Sequence, residues 1–231
     1  MNRRLFLWAA VLAPALLQPV GALAIDFPPT WGVLMLAKSR PFGAVYLLPG
    51  ADFRAYTKVL IEPTEVAFRK DWLRDYNDSS SLYERVTDDQ AQSIMVAVRK
   101  GFDAILGKTF ADAGYPVVTT DGKDVLRLRS AVLNLAVTAP DTQASMSSEY
   151  ARYAGQATLV LEARDSLTGA ILGRAEDMGI AGGSYAGLRD SVTNHQDFSR
   201  LAQRWADASV KGLETLKASS PFEPTPGAAT H

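Results

Sequence analysis

The stretch ATLVLEARDSLTGAILGRAED, residues Ala157–Asp177, decides the fold class because it has the pattern of a β-hairpin. Its odd positions carry apolar residues up to the turn, while polar and charged residues occupy most of the even positions, as in a strand with one buried face. Ser166–Gly169 supplies the turn. The two strands can pair in more than one register that keeps their apolar residues on the same face of the sheet. One register places Glu162 opposite Arg174, an opposite-charge pair, and the next places Arg164 opposite Arg174, a like-charge pair. The sequence predicts the first, opposite-charge register.

A second alternating segment, Val125–Val137 (VLRLRSAVLNLAV), predicts a long strand. Its large apolar residues fall on even positions at the start and on odd positions at the end. A change of that kind requires a β-bulge, because a strand turns successive side chains to opposite faces. We place the bulge near Ser130–Val132.

Shorter strands are predicted on both sides of a helix. Ala44–Leu48 and Tyr115–Thr119 are short strands, and Tyr56–Phe68 is rich in β-branched and aromatic residues. Because Pro63 cannot donate to a ladder, the last of these is an edge strand or two strands separated by a kink. The remaining segments are an extended lead-in at Ile25–Gly43 and a Ser-rich surface loop at Lys70–Leu82.

Two helices begin at capping-box spacings. Thr87 is followed three residues later by Gln90, and the helix ends at Gly114. Thr193 and Gln196 repeat the spacing at the start of a helix that runs to Ser219. Its apolar face contains Phe198, Leu201, Ala202, Trp205, Ser209, Leu213 and Leu216. These elements predict an α+β fold, an antiparallel sheet of five or six strands covered on one face by two helices.

The first 24 residues have the pattern of an export signal. Arg3 and Arg4 precede the uncharged apolar run Leu5–Leu17, and Ala22–Ala24 (ALA) fits a signal-peptidase site. The alternative is a retained membrane anchor, but the run is shorter than the roughly 20 residues that span a bilayer. We expect cleavage after Ala24 and a periplasmic location, with the Sec route preferred and the twin-arginine route open.

Domain boundaries and charge follow from this assignment. We expect a single domain at residues 25–219 and a disordered, Pro-rich tail at 220–231.

The 231-residue chain has 24 basic and 25 acidic residues. Two basic residues lie in the leader, so the mature chain has 22 against 25, a formal charge of −3. That balance excludes a basic nucleic-acid-binding protein. Because the chain has no cysteine, disulfides, thiolate metal sites and a cysteine-linked lipid are also excluded.

The residues available for catalysis are few. His195 and His231 are the only histidines and do not form a metal-ligand spacing, so we predict no metal and no cofactor. Gly182–Ala186 (GGSYA) is close to a serine-hydrolase elbow, with His195 as the available base, but its last glycine is replaced. The simpler interpretation is a flexible glycine-rich loop. A hydrolase or small-ligand site in the Gly182–Arg189 loop remains the alternative.

Carboxylates and tyrosines provide further candidate positions. Six acidic residues are clustered in the predicted strands and their turns, and two explanations are open. They form a glycosidase-type acid pair, or they lie on a solvated sheet face, which is the usual case. They are Glu62, Glu65, Glu162, Asp165, Glu176 and Asp177. Tyrosines at positions 150, 153 and 185 fit a ligand groove, a partner surface or ordinary loop packing.

Five stretches resemble an uncharacterised bacterial family, domain of unknown function 3313. They are YTKVLIEPTEVAF (56–68), VLRLR (125–129), GQATLVLEARDSLTG (155–169), LGRAED (172–177) and DFSRLAQRWADASVKGLETLK (197–217). The resemblance implies an exported envelope protein. Many members look like lipoproteins, but this chain has no cysteine to acylate. The resemblance brings no activity and no catalytic residues.

The sequence therefore predicts a soluble envelope protein without catalytic residues, which binds an envelope partner or associates with itself. The interrupted strand Tyr56–Phe68 offers an edge for strand addition.

Overall fold

A computed structural model describes residues 27–37, 42–82, 84–138, 149–151, 154–182, 187–189 and 191–224. The predicted leader, including its cleavage site, lies outside these residues. The elements, in chain order, are β1 (Thr30–Trp31), β2 (Leu34–Ala37), β3 (Ala44–Leu47), β4 (Lys58–Ile61), β5 (Glu65–Phe68), α1 (Trp72–Ser79), α2 (Asp88–Asp112), β6 (Val125–Val137), β7 (Glu149–Ala151), β8 (Gly155–Asp165), β9 (Ile171–Ala181), β10 (Gly187–Arg189) and α3 (Ser191–Ser219).

The main sheet has eight strands, which corrects the predicted five or six. Its order is β1-β2-β3-β9-β8-β6-β4, and β5 also pairs with β6. Most neighbours are antiparallel, but β4 and β5 both run parallel to β6 along the same edge. Pro63 separates these two strands, as the kinked interpretation of Tyr56–Phe68 predicted. The predicted extended lead-in contains two short paired strands, β1 and β2, which account for part of the difference in strand number.

The central hairpin has the predicted register. Glu162 lies opposite Arg174 in the β8–β9 ladder, and the two side chains form an ion pair of 3.1 Å. The bulge in β6 exists, but its predicted position near Ser130–Val132 is wrong. The register shifts between Leu133 and Ala136, where Asn134 has a φ of 51°. Ser130 is polar, yet it is buried on the core face of the sheet. The even-numbered residues of β6 therefore face the core for a longer stretch than the pattern of apolar residues indicates.

Buried hydroxyl groups connect this position to the rest of the fold. Ser130 Oγ lies 2.6 Å from Thr64 Oγ1, which is 2.5 Å from Asp103 Oδ1 of α2. Arg99 of α2 also donates its Nε to the carbonyl oxygen of Thr64 at 2.9 Å. The connection between β4 and β5 is therefore fixed to both the sheet and α2.

The helices confirm some sequence predictions and correct others. The capping box of Thr87 and Gln90 is present at the start of α2. The third helix begins at Ser191, two residues before the predicted Thr193. The predicted loop Lys70–Leu82 contains α1, because Trp72 is buried and stacks on Phe68 at 4.1 Å. Within the predicted strand at 115–119, the described pairing is a single bridge from Val117 to Val59.

Both long helices cover the same face of the sheet. Phe102 of α2 meets Trp205 of α3 edge to face at 6.4 Å, and the predicted apolar face of α3 packs into the main core. Residues of β2 and β3 form a second, smaller apolar cluster around Leu34 and Tyr46. Trp31 covers the Arg174 guanidinium there, at 4.3 Å from the ring centroid.

The end of the described chain packs against the domain. Gly50 donates to the Phe222 carbonyl oxygen and Phe222 donates to that of Ala51, both at 2.9 Å. Ser220 Oγ accepts the amide hydrogen of Phe53 at 2.9 Å. Residues 220–224 of the predicted tail therefore contact the domain, and residues 225–231 lie outside the described part. Among the described helices, none has the length and apolar character needed to cross a bilayer.

Candidate functional site

A cavity of about 570 Å³ lies between the helix-covered face of the sheet and the C-terminal half of α3. This volume is in the range that small-molecule sites occupy, roughly 300–1,000 Å³. Most of its wall is apolar. The lining residues are Ala37, Phe42, Val45, Leu47, Phe53, Phe110, Leu126, Leu128, Leu161, Ala163, Gly173, Arg174, Ala175, Ser209, Gly212, Leu213, Thr215, Leu216, Ser219, Pro221, Phe222 and Glu223.

Small residues on facing surfaces leave this space unfilled. Ala163 and Ala175 lie on β8 and β9, and Gly212 lies on α3 across the cavity. Beyond the adjacent residues and the backbone of its own helix, a Cβ atom added at Gly212 would approach no atom more closely than Phe42 Cε2, at 3.8 Å. The core is elsewhere filled by large side chains such as Phe102 and Leu135. The cavity thus follows from the small residues at this end of the domain.

The mouth of the cavity lies beside the end of α3. Residues 220–224, which follow that helix, are held by the hydrogen bonds to Gly50, Ala51 and Phe53 described above. Phe222 contributes to the cavity wall and is half-buried. The C-terminal segment is therefore part of the site.

The acidic residues selected from the sequence are engaged in structural contacts. Four of them contact arginines in ion pairs on the outer sheet face, away from the helices. These pairs are Glu62–Arg127 (2.8 Å), Glu65–Arg129 (2.6 Å), Glu162–Arg174 (3.1 Å) and Glu176–Arg174 (2.7 Å). Asp177 accepts hydrogen bonds from the Trp205 indole at 2.8 Å and from the Gly43 amide at 3.0 Å. This is the geometry of an ion-pair network that ties strands together.

Asp165 fixes the hairpin turn. Its Oδ1 accepts from the Thr168 hydroxyl at 2.7 Å and amide at 2.8 Å, and its Oδ2 accepts from the Tyr56 hydroxyl at 2.9 Å. The Thr168 hydrogen bonds are the main reason that the pKa of Asp165 lies below its ordinary value. Burial, together with the bond to Asp165, raises the pKa of the Tyr56 phenol. Asp165 is consequently an ionised anchor and a poor proton donor.

We expect Asp165→Asn to lower the free energy of unfolding by about 1–2 kcal/mol at neutral pH, because charge-assisted hydrogen bonds are lost. Since folding lowers the pKa, the carboxylate contributes its full stability above the unfolded pKa of about 3.9 and loses it as pH falls through the folded pKa. The stability difference between the wild type and the variant should therefore shrink in acid. Urea unfolding from about pH 6 to about pH 2 measures it, with Asp78→Asn on α1 as a control. Parallel curves would contradict this role.

The positions predicted for a hydrolase are only partly described. Ser184 and the tyrosines at 153 and 185 lie outside the described residues, as do the side chains of 150 and 187–189. The backbone of β10 at 187–189 pairs antiparallel with β7, so part of the Gly182–Arg189 loop is a two-stranded sheet. His195 is exposed in the first turns of α3. The residues that the structure describes contain no group of three or more potential metal-ligating side chains.

The cavity was not found from the sequence. Its signal is the set of small residues at inward positions, in particular Ala163, Ala175 and Gly212, within otherwise regular elements. A small residue in one element reveals a cavity only when the facing element is known.

Comparison with known proteins identifies a family and distant structural likenesses. The family model described as "Protein of unknown function (DUF3313)" matches residues 35–209. No curated protein matches the chain.

Among solved structures, a PelC dodecamer from Paraburkholderia phytofirmans is 15% identical, with 76% of this chain and 98% of that chain covered and a TM-score of 0.38. A DUF330-family protein from Xanthomonas campestris is 12% identical, with 75% and 91% covered and a TM-score of 0.43. A neuraminyllactose-binding hemagglutinin homologue from Helicobacter pylori is 12% identical, with 74% and 95% covered and a TM-score of 0.30. Likenesses this distant carry no functional conclusion.

Proposed function

The chain belongs to the family described as Protein of unknown function (DUF3313), and we propose that it is an exported, non-enzymatic binding protein that holds an apolar small molecule. The observation that carries this proposal is the cavity between the sheet and α3. Its volume of about 570 Å³ accommodates a small molecule, and its wall is mainly aliphatic and aromatic. Burial of apolar surface in such a site favours binding by about 25 cal/mol per Å² of ligand surface, before the costs of association.

Export is the part of the proposal that rests on the sequence. The leader at 1–24 has the order of a positive segment, an apolar segment and a small-residue cleavage site. We propose a periplasmic location after cleavage, by the Sec route or the twin-arginine route. The mature chain would then meet apolar molecules of the cell envelope.

Ligand binding is tested with the mature chain, from residue 25 to residue 231, using decanol as the probe. At a decanol concentration of about 100 times Kd, binding adds about 2.7 kcal/mol to stability and raises Tm by about 5–10 °C. Isothermal titration calorimetry measures Kd directly, and circular dichroism confirms that the sample is folded. Absence of binding to the folded chain up to the solubility limit of decanol would overturn the proposal.

The chain's own last residues provide one competing occupant. A variant ending at Pro224 tests whether residues 225–231 fill the cavity. If decanol binds to this variant and not to the longer chain, the cavity belongs to the tail and the proposal is wrong. Equal affinity for both chains supports a site for an external ligand.

Partner binding or self-association is the second candidate. The outer face of β9 carries Met178 and Ile180, whose exposed fractions are 59% and 43%. The edge of β4 is covered, because Val59 donates to the Pro116 carbonyl oxygen at 3.1 Å and accepts from Val118 at 2.9 Å. Strand addition at Tyr56–Phe68 is accordingly proposed for β5 alone.

This second function is tested by crosslinking in intact cells with the native protein, followed by light scattering of the purified chain. A crosslinked species that is lost in Met178→Ser/Ile180→Ser supports association through this face. Leu167→Ser is a control, because Leu167 is exposed at the hairpin turn. A monomer without crosslinked partners would contradict association.

A further inference from the structure

The inner part of the cavity has no free hydrogen-bond donor among the side chains of its described lining residues. Ser209 is buried there, and its hydroxyl donates to the Trp205 carbonyl oxygen at 2.7 Å. Arg174 contributes only the backbone side of its strand, because its guanidinium lies on the outer face and pairs with Glu162 and Glu176. A ligand hydroxyl placed in this inner part could donate only to Ser209 Oγ, and it would find no side-chain donor to replace those of water.

Polar and exposed lining residues are concentrated at one end of the cavity. The exposed members of the lining set are Thr215, Ser219, Pro221 and Glu223, all within the last turns of α3 and the segment that follows it. The sheet residues at the opposite side, such as Leu126 and Leu161, are buried. The cavity thus has an apolar closed end and a polar mouth.

From this polarity we infer that the ligand is an amphiphile with a single polar end, bound with its apolar chain inside and its polar end at the mouth. The inference rests on the proposed ligand-binding function and adds the chemical class and orientation of the ligand. An apolar chain replaces water at the closed end without leaving an unpaired group. The polar end remains hydrated between α3 and residues 221–223.

Glu223 gives the mouth a negative charge. It is the one acidic residue among the described lining residues, and it is exposed. An exposed charge changes affinity by about two- to five-fold and is screened by salt. The polar end should consequently be neutral or cationic in preference to anionic.

A matched series of ligands tests the orientation. Calorimetry with the mature chain should show affinity rising about four-fold per methylene from octanol through nonanol to decanol, because each buried methylene contributes a constant increment. Decanediol, with a hydroxyl at each end, should bind about ten-fold or more weakly than decanol. Equal affinity for decanol and decanediol, or affinity independent of chain length, would overturn the inference.

The charge at the mouth has a separate readout. The quantity to measure at low salt is the affinity for decyltrimethylammonium divided by the affinity for decyl sulfate. This ratio should be about two- to five-fold higher in the wild type than in the Glu223→Gln variant. Asp78→Asn, which changes a distant exposed carboxylate, should leave this ratio unchanged. A ratio unaffected by Glu223→Gln contradicts the placement of the polar end. If decanol and the other alkanols do not bind to the folded protein, the proposed function itself is wrong. If they bind without the expected preferences, only the inferred orientation of the ligand is wrong.

Discussion

Replacing Gly212 with leucine should weaken decanol binding about 100-fold, because the new side chain fills the cavity that the ligand needs. Gly212 lines the cavity from α3, and its nearest neighbour in the direction of a Cβ is Phe42 at 3.8 Å. A Cβ at this position therefore makes only an ordinary van der Waals contact, and we expect the leucine side chain to extend from it into the empty space. The ligand then loses about as much apolar contact with the cavity wall as a leucine side chain makes. The expected 100-fold loss of affinity corresponds to about 2.7 kcal/mol, which is the free energy of burying one such side chain.

The same substitution should make the unliganded protein more stable. Leucine is favoured over glycine inside a helix by roughly 0.8 kcal/mol, and filling a cavity adds apolar contacts. We expect Tm to rise by at least about 2–4 °C. Weaker binding together with higher stability distinguishes a filled cavity from a damaged fold.

Gly107→Leu is the matched control for this variant. Gly107 lies in α2, and a Cβ added there would have no atom within 4 Å beyond the adjacent residues and the backbone of its own helix. It is not among the residues that line the cavity. Calorimetry should give the wild-type affinity for the control and the reduced affinity for Gly212→Leu. If both variants bind decanol as the wild type does, the cavity is not the ligand site.

Gly179→Ala should lower the free energy of unfolding by about 3 kcal/mol, because α3 approaches β9 too closely there for a methyl group. An added Cβ would overlap Leu201 Cδ1 and lie 2.7 Å from Trp205 Cζ2. Both side chains are buried, and the Trp205 indole is held by its 2.8 Å hydrogen bond to Asp177. Relief of the overlap must therefore move the helix or break that bond.

Gly101→Ala provides the comparison for this substitution. Gly101 lies in α2 with no atom within 4 Å of an added Cβ, so alanine should stabilise the helix by up to about 1 kcal/mol. Urea unfolding of both variants should show effects of opposite sign. A stability loss for Gly179→Ala no larger than for Gly101→Ala would show that the close contact between α3 and β9 is not rigid.

Local patterns determined several parts of this fold. The charges of the β8–β9 hairpin determined its register, since Glu162 and Arg174 attract each other only in the observed pairing. The change from even to odd apolar positions in β6 correctly indicated a bulge, and it failed to locate the bulge because Ser130 is polar yet buried. Residues 72–79 were missed as a helix because their polar composition outweighs the single buried Trp72.

Long-range features were beyond the reach of such patterns. The pairing of β4 and β5 with β6 joins segments about 65 residues apart, and it is parallel, so no tight turn in the sequence signals it. The acidic residues that looked available for catalysis are contacted by arginines on other strands, which only the register reveals.

The amino-acid sequence by itself determined the family, the α+β class, the central hairpin and the faces of the long helices, because each depends on residues that are close along the chain. The tertiary structure decided the number and direction of the strands, the position of residues 220–224 and the cavity. A cavity is the space between two surfaces, and here the surfaces are β8 and β9 on one side and α3 on the other. Its size depends on how these elements meet, which no single segment encodes.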